Sequence, residues 1–253
     1  MSEIRILERY IYPIKSFPGL RLPKMEIDEK GPVLDRQWML VDENNSFLTM
    51  RQRPDLTLFR VSLGNFVELT WKDGDMMDFG LSEVEGESMK VKIWKDEVKA
   101  HEVSGEVSEW LSSKLDQKVK LVRMDDDARR AFSEDDPDSS TRFTDSSPVL
   151  VLSKASLELL DMKIGKKVAT SRFRPNLVVD HLEAHQEDLI EGFYIGRVEF
   201  HFLKKASRCR VIQVNPLTGE LTDEPMKTLS EYRKEDGKVF FGSYYSTKGM
   251  GTV

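Results

Sequence analysis

One cysteine occurs in 253 residues, Cys209, and it sits in a run of cations: Lys204 and Lys205 precede it, Arg208 and Arg210 flank it. Cationic neighbours favour a thiolate over a thiol. A thiolate is a soft metal ligand and a strong nucleophile. A lone cysteine is commonly a small buried hydrophobe, but an inert core thiol has no need of an arginine on each side. The β-branched Val211, Ile212 and Val214, then the turn-forming Asn215-Pro216-Leu217-Thr218-Gly219, predict Cys209 at or near the start of a strand.

Four further polar groups fall where predicted strands begin or end: Lys15-Ser16, Arg36, Asp145-Ser146-Ser147 and Arg174 with Asn176. Rigid scaffolds present functional side chains at such positions. Lys and Arg suit phosphate, Arg bidentately. Serine hydroxyls and loop amides complete an anion cradle, and Asn176 can both donate to and accept from a heterocycle edge. Brought together with Cys209, these groups would form a pocket for an anionic cofactor with a soft centre. Taken singly, each also suits a cap or the surface.

Other constellations carry less. His181 and His185 could stand one helical turn apart, but no glutamate occupies the position that either zinc-helix motif requires, and a solvent-facing pair is expected. There is no Gly-x-Gly-x-x-Gly, P-loop or Gly-x-Ser-x-Gly. A Cys–His hydrolase using Cys209 with His201 or His101 stays open, although strand-borne His201, eight residues away, has no obvious orienting partner.

The elements that would position these groups are mostly strands. Residues 4–14, 22–27, 38–41, 46–50, 56–63, 66–71, 89–94 and 98–101 read as strands with turns every 8–12 residues, the pattern of a barrel or sandwich. At Ser104 the period changes: Val107, Trp110, Leu111 and Leu115 share a helical face. Residues 119–122, 149–152, 177–179, 196–203 and 239–245 return to strand. Ser153 caps a second helix that ends at Gly165, and residues 227–234 suggest a third. The acidic stretch 125–140 reads as a mobile, solvated loop.

The formal net charge of −6 argues against a general nucleic-acid binder. One cysteine excludes, within this chain, a disulfide framework and a cysteine-ligated iron–sulfur cluster, and suits a reducing compartment. No apolar run is long enough to span a bilayer and the start shows no targeting pattern, so a cytoplasmic protein with no membrane association is expected.

Seven motifs in order then resemble one family: Tyr12-Pro13-Ile14-Lys15-Ser16, Asp35-Arg36-Gln37-Trp38, Arg51-Gln52-Arg53-Pro54, Thr144-Asp145-Ser146-Ser147-Pro148, Phe173-Arg174-Pro175-Asn176, Ser207-Arg208-Cys209 and Phe241-Gly242-Ser243-Tyr244. The series is similar to that of MOSC-domain proteins, in the branch of the mitochondrial amidoxime reducing component and its bacterial relatives. The resemblance implies a mostly β (α+β) fold: an N-terminal β-barrel domain over residues 1–120 and a MOSC domain over 121–253, whose usual final strand would lie past Val253. It implies a molybdenum cofactor ligated through Cys209. Lys15, Ser16, Arg36, Ser146, Ser147, Arg174 and Asn176 would hold its pterin and phosphate. Asp145 would lie beside the metal and Tyr244 would line the site. The implied chemistry is reduction of small N-hydroxylated compounds (amidoximes, hydroxylamines, N-hydroxylated bases), with electrons from a separate protein. A non-enzymatic sulfur or molybdenum-cofactor carrier acting through Cys209 is the alternative.

Overall fold

The computed structural model describes residues 4–133 and 139–253. In the first half, strands β1 (Arg5–Ile11), β2 (Leu20–Leu22), β3 (Glu26–Asp28), β4 (Gly31–Pro32) and β5 (Trp38–Val41) come first. A meander follows: β6 (Arg60–Leu63), β7 (Phe66–Thr70) and β8 (Met76–Gly80). The hairpin β9 (Glu85–Ile93) and β10 (Asp96–Glu102) leads to helix α1 (Gly105–Leu115) and strand β11 (Lys120–Met124). The second half runs β12 (Val149–Ser153), α2 (Lys154–Ile164), β13 (Leu177–Asp180), β14 (Gly192–Ile195) and β15 (Val198–Arg208). It closes with α3 (Met226–Tyr232), β16 (Lys234–Glu235), β17 (Lys238–Lys248) and β18 (Gly251–Thr252).

The mostly β expectation holds, with the strands of the described residues gathered into four sheets. The largest has the order β14-β15-β17-β12-β13-β1-β2, with β16 against β17. Only β12 and β13 pair in parallel within it. The starts of β12 and β13 therefore lie at one end of the sheet. The end of β1, antiparallel to β13, meets them there. A second sheet has the order β5-β11-β10-β9. The chain ends are interleaved: β1 joins the second half's sheet, and β18 pairs with β3. Val253 exchanges both backbone bonds with Met25, at 2.9 and 2.8 Å.

Local chemistry explains the helices. Ser104 accepts from Val107 N at 3.3 Å and Ser153 from Ser156 N at 3.0 Å, each satisfying an otherwise unpaired N-terminal donor. Gly165 ends α2 at φ 78°, a left-handed backbone that glycine adopts without a Cβ clash. One apolar cluster packs Trp38, Phe59, Trp71 and Leu111. Another packs Ile11, Val151, Phe200 and Tyr245 beneath the large sheet.

Four readings are corrected. Residues 46–50 do not form a strand; they make only isolated bridges from Ser46 and Phe47. Pro54–Leu58 is a 3-10 helix, so that strand starts at Arg60. Residues 210–213 form another 3-10 turn, so Cys209 follows the end of a strand instead of starting one. The acidic stretch is not simply solvated. Arg130 is 6 % exposed, its Nε donates to Asp96 at 2.8 Å, and its Nη1 donates to Thr144 O at 2.7 Å. Ser139 and Ser140 are buried too. The acidic core of that loop, residues 134–138, lies outside the described residues.

Candidate functional site

A cavity of ≈ 650 Å³ opens where β1, β12 and β13 converge. Lys15, Ser16, Arg36, Asp145, Ser146, Ser147, Arg174, Asn176, Cys209 and Tyr244 all line it. Short backbone bonds hold these segments in place. Lys15 N donates to Trp38 O at 2.8 Å, Arg36 N to Tyr12 O at 2.8 Å, and Phe143 N to Arg36 O at 3.0 Å. Tyr244 stands mid-strand, paired with Leu150 on one side and Lys204 on the other.

Cys209 is exposed to the cavity, not sealed in the core. The cation that touches its sulfur is Arg51, whose Nε and Nη2 donate to Sγ at 3.4 and 3.3 Å. Nη2 also reaches Asp145 Oδ2 at 3.3 Å, so one guanidinium spans thiol and carboxylate. The sequence neighbours do something else. Arg208 donates to Phe173 O at 2.7 Å and lies 5.7 Å from that ring's centroid. Arg210 is exposed and is not among the lining residues. Sequence reasoning quoted Arg51 in a motif but gave it no role; its only local signal was a second arginine at Arg53 beside a proline.

Lys15 is 4 % exposed and donates to Phe143 O at 2.9 Å and Asp145 Oδ1 at 2.5 Å. Burial lowers its pKa to about 8, even against the pull of Asp145. Burial pushes the Asp145 carboxyl the other way, but Lys15 and Arg51 outweigh it and hold the group well below the usual carboxylate range. Asp145 is thus ionised, with 44 % of its side chain open to the cavity.

Arg36 and Arg174 share the buried Tyr12 ring, at 4.4 and 4.2 Å from its centroid. Arg36 also pairs with Asp35, and Arg174 Nη1 donates to Phe17 O at 2.6 Å. Both arginines, with Ser16, have left-handed backbone, at φ 51°, 56° and 72°; such outliers gather at functional sites. Burial, then repulsion from Arg36, lowers Arg174 to about 10. Its Nη2 and Arg208 Nε are buried without a partner. Asn176 differs from expectation. Its Oδ1 accepts from Leu150 N at 3.0 Å and its Nδ2 donates to Tyr10 O at 3.2 Å. The amide ties β12 to β1 and leaves one N–H for anything in the cavity.

The histidines stay apart from this cavity. His101 pairs with Asp125 at 3.2 Å and His201 with Glu199 at 3.3 Å. His181 and His185 lie in a turn, not on a helix, and His185 is half-buried near Tyr232 and Phe241. The solvent-facing pair is thereby corrected for His185. Among the described residues, no helix is long and apolar enough to cross a membrane.

Residues 3–118 match the MOSC N-terminal beta barrel domain and residues 138–253 match the MOSC domain. Mitochondrial amidoxime reducing component 2 of Rattus norvegicus is 32 % identical, across 96 % of this chain and 79 % of that one. Mitochondrial amidoxime-reducing component 1 of Homo sapiens is 29 % identical, across 98 % and 80 %. A crystal structure of YUAD protein from Bacillus subtilis aligns over 100 % of this chain and 93 % of that one, at 11 % identity and TM-score 0.44. With both domain matches in order and a relative above 30 % identity over most of its length, the chain belongs to the MOSC family, in the group that carries the N-terminal β-barrel domain and includes the mitochondrial amidoxime reducing components.

Proposed function

We propose that this protein is a molybdenum-cofactor-dependent reductase of small N-hydroxylated compounds, fed by a separate electron-transfer protein. The observation that carries the reading is the convergence of an exposed cysteine sulfur, an ionised carboxylate and a set of cations and hydroxyls on one cavity.

The donor set fits the cofactor. Two buried guanidinium nitrogens without partners, on Arg174 and Arg208, face a need for acceptors that phosphate oxygens would meet. Lys15, Ser16, Arg36, Ser146, Ser147 and Arg174 would hold the pterin and its phosphate, with the spare N–H of Asn176. Cys209 Sγ suits a soft metal. When bound, the group would supply two-electron cleavage of the N–O bond, R–NHOH + 2e⁻ + 2H⁺ → R–NH₂ + H₂O. The protein's share is orientation and protons. Asp145 accepts hydrogen bonds from the N–H and O–H of a substrate at its open face. Being ionised, it is not the resting acid. Lys15 Nζ holds the proton nearest to it, in a group that burial makes easier to deprotonate. Arg51 fixes the carboxylate and the sulfur relative to each other.

The electron donor is taken to be a separate protein because one cysteine cannot hold a cysteine-ligated iron–sulfur cluster within this chain. A reducing compartment, the cytoplasm, is proposed on the same composition. The division into units at about residue 120 is likewise a proposal: the domain matches stop at 118 and resume at 138, while β11 still pairs with β5 and β10.

Protein made in a host that synthesises the cofactor should reduce benzamidoxime or hydroxylamine with reduced viologen as electron source. Stoichiometric molybdenum without turnover of either would overturn the reading. The exposed sulfur also suits the carrier alternative. A reductant-labile mass adduct on Cys209, with no turnover, would favour that instead.

A further inference from the structure

The turn joining β9 to β10 holds a residue that turn chemistry does not request. Two-residue hairpin turns favour Asn and Gly, which take left-handed backbone with little steric conflict. Here the position is Trp94, at φ 53°. A bulky residue in that region is strained, and such strain persists where the side chain serves a purpose. The indole is 48 % exposed and lines the cavity that contains Cys209.

Its contacts fix it in place. Phe47 meets it edge-on, with centroids 4.9 Å and planes 62° apart. The Arg51 guanidinium lies 4.8 Å from the indole centroid. That same guanidinium bonds Cys209 Sγ and Asp145. The indole is therefore one side chain removed from the sulfur. The remaining lining is mixed: Lys15, Arg36, Lys204, Lys205, Arg208 and Lys238 are charged, and Phe240 and Tyr244 add rings, with Lys205 5.2 Å from the Phe240 centroid. The charged groups can recognise an N–O function but cannot tell what is attached to it, and of these rings it is the indole that packs on the Arg51 guanidinium.

We infer that Trp94 is a specificity-determining residue, whose indole stacks the planar ring of aromatic and heteroaromatic N-hydroxylated substrates and directs the N–OH toward Arg51, Asp145 and Cys209. The inference rests on the proposed reductase reading and adds the part of the substrate that is selected. An indole gains contact area and favourable ring–ring geometry from another ring. Free hydroxylamine has no ring to offer.

The test compares wild type, Trp94→Phe and Trp94→Leu. Leu keeps apolar packing over Arg51 and Phe47 but removes the π surface. With reduced viologen, KM is measured for benzamidoxime and for hydroxylamine, and molybdenum is counted in each preparation. Trp94→Leu should raise the ratio of the two KM values about ten-fold, the loss of one ring–ring contact, while Trp94→Phe restores most of it. A ratio equal to wild type overturns the inference. So does loss of molybdenum in Trp94→Leu, which would make the indole a cofactor contact. A second readout needs no turnover. Benzamidine, a ring without the N–O bond, should quench tryptophan emission in wild type and not in Trp94→Phe, since Trp38 and Trp71 are buried and the half-buried Trp110 does not line the cavity. If no preparation turns over, the reductase reading fails and quenching alone decides the stacking surface. Equal quenching in both proteins refutes it.

Discussion

Arg174 allows a test in which stability and cofactor binding should move in opposite directions. Its guanidinium is buried, stacked on Tyr12 and repelled by Arg36, and its pKa falls from 12.5 to about 10. At about 1.4 kcal/mol per pH unit, the charged form carries a penalty on the order of 3 kcal/mol in the cofactor-free protein. Arg174→Met removes the charge and keeps a side chain that suffers the same left-handed backbone. It also leaves Phe17 O without its 2.6 Å donor, which returns roughly 1–3 kcal/mol of instability. The net is a gain of about 1 kcal/mol, or ~2–4 °C in melting temperature for a chain of this size. Cofactor retention should fall in contrast: losing a charged donor to a buried phosphate costs roughly 2–4 kcal/mol, about 100-fold in affinity. Arg53→Met is the control. Arg53 bonds Asp55 of the neighbouring 3-10 helix at 3.0 and 2.6 Å, and at the end of α1 it bonds Gln117 at 2.7 Å and Leu115 O at 2.6 Å. It should lose about 1–3 kcal/mol of stability and keep the cofactor. Thermal melts of cofactor-free protein and molybdenum analysis of loaded protein read both effects. Arg174→Met melting lower than wild type while keeping its molybdenum would refute the reasoning.

Three further outcomes follow from buried groups. Lys15 has a folded pKa of about 8 against 10.5, so the unfolded chain binds more protons between those values and stability rises with pH there; from pH 7.5 to 9.5 the gain is about 2 kcal/mol. Urea titrations of Lys15→Met should lose that rise, and an unchanged slope would contradict the burial argument. His185 is lowered to about 4 by burial and then by Arg233. It contributes stability that is lost as pH falls from 6.5 toward 4, so melts of His185→Phe at pH 4.5–6.5 should show a shallower acid limb, and an equally steep limb counts against it. At Gly19 an added Cβ would sit 2.3 Å from Tyr12 Cε1. Gly19→Ala must displace the ring beneath Arg36 and Arg174 and should destabilise by about 1–3 kcal/mol; wild-type stability would show that the ring has room to move.

Much of the site was readable because its groups stand at strand ends, where local periodicity stops and polar residues cluster. Lys15, Asp145 and Arg174 were found in that way. Arg51 was not, because its link to Cys209 spans 158 positions and no local pattern reports it. Propensity misled at residues 210–213, where Val211 and Ile212 favour strand, yet Ile212 is buried from a 3-10 turn instead. Asn176 was read as a ligand group; that its amide also ties Leu150 N to Tyr10 O was hidden, because the parallel pairing of β12 with β13 that brings them together is not a local pattern. The entry of β1 into the second half's sheet was equally hidden, since a pairing as distant as Arg9 with Leu177 leaves no trace in a hydrophobic period.

The sulfur of Cys209 remains the atom on which the account turns. Molybdenum should be counted in wild type and Cys209→Ala, both made in a host that supplies the cofactor and both shown to be folded. The account predicts close to one metal per wild-type chain and almost none in the variant; equal metal in the two would contradict it.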